Sequence, residues 1–233
     1  MLAVRARKAA YGDVFVDGRG HLHVVYVALG SGKPKPDMFG DSKNSIYYTR
    51  STDGGKTFSK PERVSEADPV PFYFSNAQVV FDDKREELTI VYPRGTSDGK
   101  WDIVIARRST KSPAWQRFKA NDDEPCASHM VPTAAFDRRT GTLHLIWAEN
   151  RGGKGRMAYT SCAQGSKRCA ANEALSEQVS ARYSFTRHAT MWRGEYDALL
   201  IDEAHKRIHA VWTQAVDEGG VPTSRVFHAS GAL

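Results

Sequence analysis

Short apolar runs, broken by polar turns, recur along the chain at a regular spacing. Four times a run ends in an apolar residue followed by aspartate, a polar turn intervenes, and a second apolar run ends in an aromatic residue. The pairs are Val14–Asp17 with Leu22–Tyr26, Val79–Asp82 with Leu88–Tyr92, Ala134–Asp137 with Leu143–Trp147, and Leu199–Asp202 with Ile208–Trp212. The aspartates lie 65, 55 and 65 residues apart (82−17, 137−82, 202−137), and the aromatic follows its aspartate by 9, 10, 10 and 10 residues. Runs of this length, rich in β-branched and aromatic residues, predict strands joined as hairpins. A third strand is predicted at Ile46–Arg50, Ile103–Arg107, Met157–Thr160 and Arg225–Ala229. A fourth follows in the first three units, near Phe58–Val64, Trp115–Lys119 and Ala174–Val179.

Four antiparallel strands per unit of this length predict an all-β fold of propeller blades, approximately 11–66, 76–120, 131–180 and 195–233. One turn is chemically fuller than the rest. In Ser51-Thr52-Asp53-Gly54-Gly55-Lys56-Thr57-Phe58 the Asp53 carboxylate can accept bonds from turn amides, and the two glycines tolerate positive φ. The pattern S-x-D-x-G-x-T-F, with Ser51, Asp53, Gly55, Thr57 and Phe58, resembles the Asp box of sialidase-like β-propellers (BNR repeats). The resemblance covers essentially the whole chain, read as a single domain over 1–233, and implies that the Asp box is a structural turn away from the ligand loops. The second unit keeps only Ser109 and Trp115 of the pattern. Residues 1–10, with Leu2 to Arg7, are a candidate closing strand for the fourth blade. Sialidase-like propellers have six blades, so four readable blades make a closed ring of four, a truncated version or part of a six-bladed propeller, or a partial propeller completed by another chain.

Composition adds limits. The 233 residues carry a net charge of +6, and no apolar run approaches a membrane span. No signal peptide is visible at the N-terminus. Basic clusters such as Arg107-Arg108 and Arg138-Arg139 are short and fall at strand ends or turns, so nucleic acid is not an expected partner, whereas anionic glycans or a protein ligand are. Cys162 and Cys169 enclose a turn-like hexapeptide, either as a disulfide or as two free thiols, with Cys126 left over. A disulfide and the family resemblance both imply an extracellular or cell-surface location. Neither metal nor cofactor is expected.

In a propeller, the loops joining second to third strands gather with the inter-blade loops on one face, which is where ligand residues are sought. Sialidases resemble one another in using arginines for the sialic acid carboxylate and a Tyr/Glu nucleophile pair. On those loops the ligand candidates are Arg94, Arg151, Arg193 and Glu149, and the catalytic candidates are Tyr196 and Glu195. The Arg-Ile-Pro segment that supplies the family's first arginine is absent. The favoured expectation is therefore a carbohydrate- or protein-binding module, with an exo-sialidase-type hydrolase as the alternative. His23, His144 and His209, each three residues before the blade aromatic, are expected to pack or hydrogen-bond between strands, and the aromatics to fill the core.

Overall fold

The computed structural model describes residues 9–30, 44–66, 70, 76–96, 100–122, 127–151, 154–177 and 197–233. Its contacts divide the chain into two compact units, Met1–Lys119 and Ala120–Leu233. Among the described residues all the elements are strands, and each sheet is an antiparallel meander in chain order. The first unit holds β1 (Ala9–Val16), β2 (Leu22–Ala28), β3 (Ser45–Ser51) and β4 (Glu62–Arg63), then β5 (Gln78–Asp82), β6 (Glu87–Gly95), β7 (Trp101–Ser109) and β8 (Gln116–Lys119). The second holds β9 (Ala127–Asp137), β10 (Thr142–Arg151), β11 (Lys154–Cys162) and β12 (Glu173–Ala174), then β13 (Ala198–Asp202), β14 (Arg207–Glu218) and β15 (Val221–Ala232). The outer strands are shorter than the sequence predicts, with only two residues in β4 and β12. The candidate closing strand Leu2 to Arg7 lies outside the described residues.

The aspartate that ends each first strand has one local task. Asp17 Oδ1 accepts from the amides of Arg19 and His21, at 2.9 and 2.8 Å. Asp82 does the same for Lys84 at 2.9 Å, Asp137 for Arg139 at 2.9 Å and Asp202 for His205 at 3.0 Å. Each carboxylate thus takes the turn amides that the reversal strips from the ladder. Burial works against the charged form of Asp137, yet the Thr140 hydroxyl and the Arg139 amide outweigh it and hold the carboxyl below its ordinary range. Three of these turns reach φ near +50 to +76° four residues after the aspartate, at Glu86, Gly141 and Lys206. The first turn is one residue shorter and does it with Gly20, which accounts for its gap of 9.

The sheets pack face to face within each unit. In the first, Val25, Val27, Ile46 and Tyr48 meet Val79, Phe81, Leu88, Ile90 and Tyr92 in one buried cluster. In the second, Ile146, Ala148 and Met157 meet Ala210 and Trp212, with Tyr159, Leu199 and Phe227 alongside. At roughly 25 cal/mol per Å² of apolar surface, these clusters are what hold sheet to sheet. The blade aromatics Tyr26, Tyr92, Trp147 and Trp212 are all buried.

The repeated histidines bridge second to third strands diagonally, His23 and His144 on the packed faces of their sheets and His209 on an exposed one. His23 Nδ1 lies 2.8 Å from the Tyr48 hydroxyl and Nε2 lies 3.3 Å from Asp17 Oδ2. A carboxylate can only accept, so Nε2 carries the hydrogen and the phenol donates to Nδ1. Burial pushes the Tyr48 hydroxyl up to about 12, which keeps it a donor. His144 repeats the contact with Tyr159 at 2.8 Å, and His209 with His228 at 3.1 Å.

Candidate functional site

The β-register of each blade separates two ends. In the first sheet Leu22 pairs with Ser51 at one end and Ala28 with Ser45 at the other. The turn Ser51–Phe58 closes the first of these ends. There the Ser51 hydroxyl donates to Asp53 Oδ1 at 2.7 Å, and the Thr57 amide and hydroxyl donate to the two Asp53 oxygens at 2.9 and 2.6 Å. The Gly55 amide donates to Ser51 Oγ at 2.8 Å. Gly54 and Gly55 have φ of 71 and 85°. The Thr57 hydroxyl, then its amide and the Ser51 hydroxyl, hold the Asp53 carboxyl well below its ordinary value. Three hydrogen bonds from within the turn thus end on this carboxylate.

The third sheet closes the same end differently. Leu143 pairs with Cys162 where Leu22 pairs with Ser51, and Cys162 is disulfide-bonded to Cys169. The flanking bonds match: Thr49 Oγ1 donates to Ser59 O and Thr160 Oγ1 to Ala170 O, both at 2.7 Å. The flanking bonds enclose equal lengths of chain, ten residues apart in each turn, around a carboxylate staple in one and a covalent one in the other.

The loop end of the third sheet gathers charge. Register sets Glu149 between His129 on β9 and Arg156 on β11, with Arg151 two residues further on the same face of β10. Glu149 is 0% exposed. Its Oε1 lies 2.9 Å from Arg156 Nη2 and 3.4 Å from Arg151 Nε, and its Oε2 lies 3.9 Å from His129 Nε2. The Arg156 and Arg151 side chains are 23 and 35% exposed, so they reach solvent over a carboxylate that does not. The His129 ring stands edge-on to Trp147, 6.2 Å between centroids. A β-bulge shapes this corner. The β9–β10 register shifts between Ile146 and Ala148, and Val131 takes φ +54°, a conformation that a β-branched residue adopts only under constraint. The bulge brings Met130 opposite Ala148 and hence His129 opposite Glu149.

Two guanidiniums fixed on a buried carboxylate keep several N–H donors in a set orientation. Such an arrangement can take a carboxylate, sulfate or phosphate oxygen in charge-assisted hydrogen bonds without reordering the side chains.

Of the sequence candidates, Glu149 and Arg151 are therefore brought together. Arg94 is elsewhere, in the first unit, 3.6 Å from Asp102 of β7. Nor do Arg94 and Arg151 share a repeat position: Arg94 follows Tyr92 by two residues and Arg151 follows Trp147 by four, so the counterpart of Arg94 is Glu149. Arg193, Glu195 and Tyr196 lie outside the described residues. Sequence reasoning missed Arg156 and His129. Arg156 was within reach, because two glycines at 152–153 centred on a hairpin pair 149 with 156. His129 was not, because its pairing depends on the bulge. Among the described residues, no group of three or more His, Cys, Asp or Glu could hold a metal ion.

No protein-family model matches the chain, and no curated protein matches it in sequence. Solved structures do. A protein of unknown function from Dyadobacter fermentans superposes with a TM-score of 0.61 at 13% identity, over 94% of this chain and 63% of its own. The NanB sialidase of Streptococcus pneumoniae gives 0.60 at 9% identity, over 97% of this chain and 52% of its own. The fold is that of a sialidase-like β-propeller. An α-L-arabinofuranosidase of Fusarium graminearum, solved with arabinobiose, shares the propeller with a TM-score of 0.54 at 11% identity, over 97% of this chain and 63% of its own. The propeller repeat here thus spans less than two thirds of the length of each of these three.

Proposed function

We propose that this chain is a binding module of the sialidase-like propeller type that takes an acidic group of a glycan on Arg151 and Arg156. The observation that carries the reading is the Glu149 carboxylate, wholly buried and held 2.9 and 3.4 Å from the two guanidiniums, which fixes them while their edges stay in contact with solvent. The structural neighbours include a sialidase and an arabinofuranosidase solved with its sugar, and this supports a carbohydrate as the carrier of the anion. The expected location is extracellular or cell-surface, a reading supported by the Cys162–Cys169 disulfide.

Titration calorimetry with sialyllactose against lactose tests this. Binding of the acidic sugar alone, weakened about tenfold or more by Arg151→Gln or Arg156→Gln, is expected, since a charge-assisted hydrogen bond contributes roughly 1.5–3 kcal/mol. Equal binding of both sugars, or binding indifferent to both substitutions, removes the arginines from the site. The alternative is an exo-sialidase-type hydrolase that uses an arginine cluster with Tyr196 and Glu195 as the nucleophile pair. It predicts turnover of a fluorogenic sialoside that Tyr196→Phe abolishes.

A further inference from the structure

Within the second unit, a cavity of about 350 Å³ opens between the third and fourth sheets. Its lining includes Tyr159, Glu173 and Leu175 from the third sheet and Leu199, Ile208 and Gly231 from the fourth. The repeat carries each of these onto a residue of the first unit, where the first and second sheets meet. Tyr159 pairs with Glu173 as Tyr48 pairs with Glu62. The Leu175 amide donates to Met157 O at 2.9 Å, as the Val64 amide does to Ile46 O at 2.8 Å. Leu199 stands three residues before Asp202, as Val79 stands before Asp82. Ile208 pairs with Gly231 where Leu88 pairs with Arg108.

The last of these pairs changes the chemistry. In the first unit the Arg108 guanidinium donates to Glu62 Oε1 and lies over the Tyr48 ring, 5.7 Å from its centroid. Gly231 has no side chain to send to the same place, and no cation among the described residues pairs with Glu173. The receiving groups are nevertheless kept. Tyr159 is fixed as Tyr48 is, its hydroxyl 2.8 Å from a histidine Nδ1 of the neighbouring strand. Burial raises the Tyr159 pKa, and the charge of the nearby Glu173 adds to the rise. The third sheet thus offers a carboxylate and an aromatic face in the register that holds a guanidinium in the first unit, while the fourth sheet supplies none.

We propose that this cavity binds a small alkylguanidine, its guanidinium on Glu173 and over the Tyr159 ring and its alkyl stem against Leu199 and Ile208. A planar guanidinium meets a carboxylate through two parallel donors and lies flat on a ring, whereas an ammonium is a point charge. The volume falls at the lower end of small-ligand sites, roughly 300–1,000 Å³, which suits a single group of this size. The site takes a cation, so it does not rest on the anion-binding reading of Arg151 and Arg156.

Titration calorimetry of the full chain with n-butylguanidinium chloride against n-butylammonium chloride, at matched ionic strength, is the test. The expected result is saturable binding of the guanidinium and weaker binding of the ammonium. Glu173→Gln should weaken the guanidinium about tenfold or more, because it removes a charge-assisted hydrogen bond. Gly231→Arg should supply the missing group from within, abolishing binding and raising the melting temperature. A Cβ at this position meets only Ile208 Cγ2, at the ordinary contact distance of 3.7 Å. Gly231→Ala, which adds a methyl group and no guanidinium, should still bind. Absence of saturable binding, equal binding of the two cations, or binding that survives either Glu173→Gln or Gly231→Arg overturns the proposal. Glu173 is exposed, so Glu173→Gln decides the matter even where the arginine variant folds poorly.

Discussion

Replacing Glu149 by Gln keeps the shape of the side chain and removes its charge. Both guanidiniums then lose their counter-ion at a position with no access to water. Removing one member of a buried ion pair costs about 3–5 kcal/mol. Here the arginine side chains, 23 and 35% exposed, can turn toward solvent, which brings the expectation down to about 2–3 kcal/mol. For a chain of this length that is a fall in melting temperature of about 5–10 °C. Arg156→Gln is the sharper probe, because it strands the carboxylate instead of the cations. The buried carboxylate then keeps only Arg151, at 3.4 Å, as its nearest cation, so the loss should be at least as large as in Glu149→Gln. The double variant Glu149→Gln/Arg156→Gln should recover part of the loss, giving a coupling energy of about 1–3 kcal/mol in a denaturant cycle. Additive single effects would refute the view that Glu149 organises this corner.

Three further outcomes follow from the rest of the molecule. Reduction of the Cys162–Cys169 bond, which closes a short loop, should cost about 2–3 kcal/mol, read as a lower melting temperature in dithiothreitol; Cys169→Ser should show the same loss with no response to the reductant. Burial, only partly opposed by the nearby carboxylates Asp17 and Asp137, lowers the pKa of His23 and His144 below the ordinary 6.5. The unfolded chain then binds more protons just below that value, so urea midpoints should fall as pH drops from 7.5 to 5, and less so in His144→Gln; midpoints flat across that range would mean the imidazoles are not buried neutral. Lys206 holds a left-handed turn conformation at φ 52°, and Lys206→Gly should raise stability by up to about 1 kcal/mol; a loss would show that the turn depends on the lysine side chain.

The parts of this fold that announce themselves in the sequence are those decided locally. A strand, an aspartate that caps its turn and a returning strand lie within about a dozen residues, and their chemistry recurs four times. Pairing between elements is less legible. The third strands extend beyond their apolar runs because β7 and β11 continue into polar residues such as Asp102 and Arg156 that still pair in register. The outer strands shrink because only a few residues of each pair with the third strand, and chain direction alone does not tell where that pairing stops. The charge cluster was half visible. Glu149 and Arg151 stand in a loop-end segment of β10, but their partners come from two other strands, one of them displaced by a bulge at a residue, Val131, that has no local preference for it.

The two ends of the blades also carry different kinds of information. At the hairpin end the same residue type, Asp17, Asp82, Asp137 and Asp202, does the same work in all four sheets, and even where turn chemistry changes, from the Asp53 staple to the Cys162–Cys169 bond, the span and flanking bonds are kept. That end is constrained by folding and reports on folding. At the loop end the position two residues beyond the blade aromatic holds Ala28, Arg94, Glu149 and Gln214: a methyl group, a cation, an anion and an amide on an identical backbone frame. Gln214 accepts from Trp212 Nε1 at 3.1 Å and donates to Glu177 O at 3.3 Å, two neutral bonds close by, whereas Glu149 holds two cations that reach solvent. A position whose backbone is fixed by the repeat but whose chemistry is not is under a demand other than folding. Of the four, only Glu149 combines a wholly buried charge with arginine donors at the surface, and this is why the search for a ligand belongs at the third blade.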